Sequence, residues 1–325
     1  GQGGLYILPA ELIDNNGSEL KKCVLKYAEL WNLESDFVAW LENENHFVNT
    51  LVDRIVTGYP NDETREMHPD DKFLDTAEIF HLWVIEKPEN MSIEELEAEF
   101  PANQAGLNVL IAESEKPYHE RKVTLLNGPH TVLSPVTYLS GVNIVRDACN
   151  HEVLGKYINK VMFEELLETL NLPKDELKAY GESVLERFNN PYVDHAVTSI
   201  MLNSFPKFET RDLPGLKVYL ERKGELPKGL VLGLAAIITY YKGGVREDGA
   251  PIQPNDAQEI MDLLAQLWAT NDTHKVAEGV LGATDIIWKE SKQNLNEIPG
   301  LTAMVEGFLN DIQAKGMLET VKSIL

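Results

Sequence analysis

Apolar positions along this chain follow two different periods. Up to about residue 113, short runs rich in β-branched and aromatic residues alternate with helical stretches; beyond it only the 3.6-residue period is found. "LYILPAEL" (5–12), "TLVDRIV" (50–56), "EIFHLWVIE" (78–86) and "GLNVLIA" (106–112) predict strands. "GSELKKCVLKYAELW" (17–31) predicts a helix with Ser18 as N-cap, and "DFVAWLENE" (36–44) predicts a second. In "SIEELEAEF" (92–100), Ser92 and Glu95 have the spacing of a capping box, which starts a third helix. The polar "GYPNDETREMHPDD" (58–71) reads as loop.

The remainder predicts helices only, at 161–170, 174–188, 192–202, 255–270, 274–293 and 304–313, with Pro and Gly between them. "GLVLGLAAIITYY" (229–241) is apolar on every side and reads as a buried helix; a bilayer span takes about 20 residues. No period of about 20–50 residues repeats, so a solenoid is not indicated. The pattern divides the chain into an α/β piece, 1–113, and an all-helical domain, 114–325. The strand at residue 5 has no earlier strand to pair with, which predicts a sheet whose first part lies outside this chain. "GQGG" at the start is not a dinucleotide turn, because no strand precedes it and no glycine-capped helix follows.

Composition narrows the class. The chain has 325 residues, 43% hydrophobic and 25% charged, enough for two ordinary globular domains. Its 52 acidic against 29 basic residues give a net charge of −23. Such a surface repels phosphate backbones and anionic lipids, so neither a nucleic-acid nor a membrane partner is expected. A small anionic substrate needs local cations to overcome that field. Two cysteines, Cys23 and Cys149, make neither a disulfide framework nor a zinc cluster and suit a reducing cytoplasm. No HxxxH, CxxC or GxSxG spacing occurs, so neither a metal site nor a serine nucleophile is expected.

One stretch carries chemistry. "RKVTLLNGPH" (121–130) sets Lys122, Asn127 and His130 among apolar neighbours. At about 100° per residue, His130 falls roughly 80° and Asn127 roughly 140° from Lys122, on an arc shared with Val123, Leu126 and Leu133. Unpaired polar groups on such a face cost several kcal/mol. Two readings follow: a lysine snorkelling to solvent beside two satisfied core residues, or a set of reacting groups. Pro129, which breaks or restarts a helix, shifts the phase of the wheel.

Four blocks in order resemble one family. "KVTLLNGPH" is similar to the K-x-x-x-x-N-x-x-H signature of the long-chain polyol and sugar-acid dehydrogenases, the mannitol dehydrogenase superfamily. "NTLVDRIV", "EIFHLWVIE" and "RFNNPYVDHAVTSIMLNSFPK" (187–207) resemble its N-[ST]-x-V-D-R-I, E-x-F-x-x-W-V-I-E and RF-x-NP segments. The resemblance covers most of the first 210 residues; the rest adds compatible helices.

The resemblance implies the tail of a Rossmann-type domain followed by a mainly α-helical substrate domain of the 6-phosphogluconate-dehydrogenase C-terminal kind. It implies that the N-terminal nucleotide-binding half is absent from this chain, which alone would be inactive. It implies a metal-independent, NAD-dependent, monomeric enzyme of the cytoplasm. Lys122 would be its general acid and base, with a pKa brought from about 10.4 toward roughly 7–8 by an apolar pocket. Asn127 and His130 would donate to the developing oxyanion. Asp53, Arg54, His119 and Lys207 would meet the substrate. Leu12, Ser199 and His119 replace an asparagine, an arginine and a glutamate of the polyol-specific members, which turns the expectation toward a sugar acid. Reduction of D-tagaturonate to D-altronate is the reaction implied. Fructuronate reduction and mannitol-type polyol oxidation are same-class alternatives, and a non-catalytic helical binding module is the alternative of another class.

Overall fold

The computed structural model describes residues 3–59, 62–246 and 248–325, with only the backbone of residues 62 and 63. The chain forms two compact units, Gly1–Glu120 and Arg121–Leu325.

In the first unit, β1 (Tyr6–Ile7) pairs in parallel with β2 (His46–Phe47). The partner that the sequence pattern placed outside the chain is therefore a two-residue strand forty residues downstream, too short to register as a run. Between them lie α1 (Asn16–Leu30) and α2 (Ser35–Asn43). Helix α1 starts after Asn15, in the left-handed region at φ 53°, so Ser18 is not its N-cap. Instead Asn49 Oδ1 accepts from the backbone N–H of Ser18 at 3.0 Å.

Strand β3 (Thr50–Asp53) is antiparallel to β6 (Leu82–Glu86), which is parallel to β7 (Val109–Ala112). The run read as one strand, 50–56, breaks after Asp53; β4 (Val56–Gly58) leaves the sheet to pair with β5 (Thr76–Ala77). Arg54 and Glu78 make the corner. Arg54 Nε donates to the Glu78 carbonyl at 2.9 Å, and Glu78 Oε1 accepts from Ile55 N–H at 2.6 Å. The expected loop contains a short helix, α3 (Asp62–Met67); its Pro60 and Asn61 lie outside the described residues. Helix α4 (Ile93–Glu99) has the capping box that its sequence spells, Ser92 and Glu95 each accepting from the other's backbone N–H.

Helix α5 (Lys116–Lys122) carries the chain from one unit into the next. In the second, a π-helical turn (Val123–Asn127) leads into α6 (Gly128–Leu139), then α7 (Val145–Asn150) and α8 (Glu152–Asn159). A second π segment, Lys160–Leu166, precedes α9 (Lys174–Phe188), α10 (Val197–Ile200), α11 (Ser204–Arg211) and α12 (Leu213–Lys223). Then come α13 (Lys228–Tyr240) and the small hairpin of β8 (Gly244–Val245) and β9 (Pro251–Ile252). Four helices close the chain: α14 (Gln258–Ala269), α15 (Thr273–Leu281), α16 (Leu301–Lys315) and α17 (Met317–Lys322). The helix predicted at 274–293 stops at Leu281, and that predicted at 192–202 shrinks to one turn.

Helices α6 and α13 form the centre of this unit, both buried along nearly their whole length. Gly233 lets them touch: a Cβ there would lie 2.3 Å from the Val132 Cβ. Gly233→Ala should therefore push the helices apart and cost about 1–3 kcal/mol. Gly307 on α16 faces open space, so the same change there should stabilise by up to about 1 kcal/mol through helix propensity alone. Opposite shifts of the thermal midpoint in the two variants are the expected result; equal shifts would show that the α6–α13 contact relaxes freely.

Candidate functional site

The π turn changes how Lys122 and Asn127 are disposed. An α-helix closes each hydrogen bond over four residues, whereas here Gly128 N–H donates to the Val123 carbonyl, five back. Residues five apart thus stand one turn apart, and Lys122 and Asn127 come onto one side instead of about 140° apart. His130 follows three residues after Asn127 in regular helix, on the same side. Pro129, at the start of α6, has no N–H to give, which suits a junction where the bonding pattern switches.

His130 is 5% exposed, and its Nε2 has no hydrogen-bond partner among the described residues. Its ring lies 4.1 Å from Phe188 and edge-on to His195 at 5.1 Å between centroids. Burial, then the charges of His195, Arg211 and Arg187, pushes its pKa well below the usual imidazole range. The ring is therefore neutral at physiological pH. Next to it, Thr131 Oγ1 donates to the Asn127 carbonyl at 2.9 Å and accepts from Arg211 Nη1 at 3.3 Å. Lys207, one turn before Arg211 on α11, donates to the Ile200 carbonyl at 2.7 Å. Burial, aided by Arg211, lowers its pKa to about 8.

Behind this face lies Asp212, fully buried, with neither carboxyl oxygen hydrogen-bonded among the described residues. A Cβ on Gly128 would come within 2.9 Å of its Oδ1. Burial raises its pKa well above the usual range, against the opposing pull of Arg211. A folded pKa above the unfolded value means that the native state binds the extra proton. Stability then falls as pH rises from about 4 through the raised pKa. Asp212→Asn should remove that loss. Its thermal midpoint should match wild type near pH 4 and exceed it at pH 7.5; an equal decline in both proteins would assign the proton elsewhere.

Asp53, Arg54 and His119 fall in the first unit, and Ser199 lies on α10 of the second. Asp53 ends β3, 2% exposed, and Arg54 holds the corner to Glu78. His119 Nε2 lies 3.0 Å from Asp14 Oδ1, beside Glu115, whose pKa burial raises. Arg211, Thr131 and Asp212 went unread in the sequence; the four-residue spacing from Lys207 to Arg211, which sets two cations on one helical face, is the one local signal that could have found Arg211. Among the described residues no group of three His, Cys, Asp or Glu side chains could hold a metal ion, and no helix is long and apolar enough to cross a membrane.

The chain belongs to the mannitol dehydrogenase family. The family's C-terminal domain matches residues 115–313, and its Rossmann domain matches residues 1–99. It is 68% identical over 326 aligned residues to an altronate oxidoreductase of Phocaeicola vulgatus, covering 99% of this chain. An altronate oxidoreductase of Pectobacterium atrosepticum is 43% identical over 98% of the chain. In both cases the chain spans 66% of the relative's length. Among solved structures, Pseudomonas fluorescens mannitol 2-dehydrogenase, in a ternary complex with NAD and D-mannitol, matches 99% of this chain and 62% of its own, with a TM-score of 0.76 at 22% identity. A substrate-free D-sorbitol dehydrogenase matches 99% of this chain and 63% of its own, with a TM-score of 0.80 at 20% identity.

These matches correct one expectation. The nucleotide-binding domain is not absent from this chain, because the Rossmann-domain match begins at residue 1 and runs to 99. The pairing of β1 with β2 explains the misreading: an apparently unpartnered first strand has its partner within the chain. The expectation that the chain alone is inactive rested on that absence and loses its support.

Proposed function

We propose that this chain belongs to an NAD-dependent dehydrogenase that reduces a keto sugar acid, D-tagaturonate to D-altronate, without a metal. The observation that carries this reading is the turn of π-helix that aligns Lys122 and Asn127 with the buried, neutral His130. The names of the altronate oxidoreductases, 68% and 43% identical over nearly the whole chain, support the substrate. The NAD in the complex of the related mannitol 2-dehydrogenase supports the cofactor.

The first unit offers a fitting donor set. A polar cavity of about 550 Å³ at the N-terminus of α1 is lined by Asn15, Ser18, Asn49, Ser114, Lys87 and Lys116, with Glu86, Glu89 and Glu113. The hydroxyls of a ribose and the amide of a nicotinamide suit these groups. When bound, the cofactor supplies a hydride to the keto carbon. Lys122 then gives its ammonium proton to the carbonyl oxygen, which becomes the hydroxyl of the product, and takes it back in the reverse direction. Asn127 stabilises negative charge on that oxygen through its amide N–H, and the neutral His130 ring excludes water and orients the hydroxyl.

The test is oxidation of NADH by the full-length protein with tagaturonate, fructuronate and fructose. Turnover of tagaturonate well above the other two is the expected result; preference for fructose would replace the sugar acid by a neutral ketose. Lys207 adds a pH dependence. Its cation is present below about pH 8, so KM for the acid should rise above that pH. In Lys207→Arg, which keeps its charge, the rise should vanish; an unchanged profile would remove Lys207 from substrate binding.

A further inference from the structure

The geometry points to Arg211 as the residue that receives the carboxylate of the sugar-acid substrate, with Lys207 one helical turn before it as the second cation. The assignment rests on the keto-sugar-acid reading above and deepens it.

Three observations carry it. The first is the absence of an acidic partner. In a chain with 52 acidic and 29 basic residues, the other buried or half-buried arginines whose partners are resolved find a carboxylate: Arg121 pairs with Glu176, Arg146 with Asp194 and Arg246 with Asp248. Arg211 forms no such pair among the described residues, although it is half-buried and Asp212 is its neighbour in sequence. The Asp212 carboxyl lies instead against Gly128, where burial favours its protonated form. A guanidinium keeps its charge in such a setting, and here that charge is left uncompensated.

The second is location. Arg211 Nη1 donates to Thr131 Oγ1, which donates in turn to the Asn127 carbonyl, so the guanidinium is tethered to the start of α6, where His130 follows Asn127 of the π turn. That tether uses one of five N–H donors and leaves the rest of the planar fork for a bidentate acceptor. The third is the company it keeps. Lys207 and Arg211, four apart on α11, repel one another, an arrangement that costs stability and that a bound anion would relieve. The buried Nε2 of His130, unpartnered among the described residues, feels the charge of Arg211.

The other cations considered for the carboxylate are engaged elsewhere. Arg54 donates to the Glu78 carbonyl, and His119 faces Asp14. Each sits beside negative charge or a carbonyl, which opposes a second anion.

The experiment is calorimetric titration of the full-length protein, saturated with NAD, with D-altronate and with D-altritol, in which CH2OH replaces the carboxylate. Wild type, Arg211→Gln and Arg211→Lys are compared. The Arg211→Gln change should weaken altronate about 100-fold, the worth of charge-assisted hydrogen bonds in a dry site, and leave altritol within about threefold. Arg211→Lys, which keeps a charge but loses the fork, should weaken altronate about tenfold, and it serves alone if the glutamine variant does not fold. Equal losses for both ligands, or altronate binding unaffected in either folded variant, would overturn the assignment. Selective loss of altronate in a protein that turns over no keto sugar acid would uphold Arg211 as the carboxylate site and sink the proposed reaction.

Discussion

Replacing Lys122 with alanine should lower kcat for tagaturonate reduction about 10³-fold while leaving the thermal midpoint within about 2 °C. The carbonyl oxygen must gain a proton as the hydride arrives, and a positioned acid is commonly worth about 10²–10⁴ in rate. Lys122 ends α5 at the entry to the π turn, where it is half-buried, so removing its side chain leaves no large cavity. Loss of an oxyanion donor should be milder: Asn127→Ala should cost about 10²–10³ in kcat. The two losses should not multiply, because both groups act on one oxygen. Steady-state NADH oxidation reads both. Activity of Lys122→Ala within tenfold of wild type would take the lysine out of the acid–base role and return it to a structural one.

Glu165→Ala should have the largest effect on stability, about 3–5 kcal/mol. Glu165 is 1% exposed, on the second π segment, and its two carboxylate oxygens accept from Gly229 N–H at 2.8 Å and Leu230 N–H at 2.9 Å. These are the second and third amides of α13, in the first turn, where the N–H groups have no partner within the helix. Burial raises the Glu165 pKa and the two backbone donors pull it down, so the carboxylate is a helix cap made by tertiary contact. Removing it orphans two buried donors at about 1–3 kcal/mol each and opens a cavity. Gly229 lets the carboxylate approach this closely: a Cβ would stand 2.8 Å from Glu165 Oε2 and 2.8 Å from a Val161 methyl carbon, so one of them would have to shift. A loss below about 1 kcal/mol in thermal or urea unfolding would mean that the helix start is satisfied in another way.

Local signals in the sequence carried much of the architecture. The Ser92–Glu95 capping box, the strands ending at Glu86 and Ala112 and the buried 229–241 helix all follow from spacing and side-chain type within one element. Elsewhere a neighbour outvoted propensity. The β-branched run 50–56 favours one strand, yet the Arg54–Glu78 corner turns it. Ser18 suits an N-cap, yet Asn49 satisfies the helix start from thirty-one residues away. Apolar spacing continues past Leu281, but Gly282 and the turn after it stop the helix.

The candidate site divides along the same line. By itself the sequence determined which residue types are present in "RKVTLLNGPH", their order, and hence the family that they resemble, because motif identity is a property of the chain alone. Tertiary structure alone decided where those groups stand. The π turn, whose extra residue per turn no hydrophobic period announces, brings Lys122 and Asn127 onto one side. Among the described residues, the packing of α11 on α6 leaves Arg211 without a carboxylate and buries Asp212 without a donor. Charge compensation depends on distances between residues remote in sequence, and those distances exist only once the helices have packed.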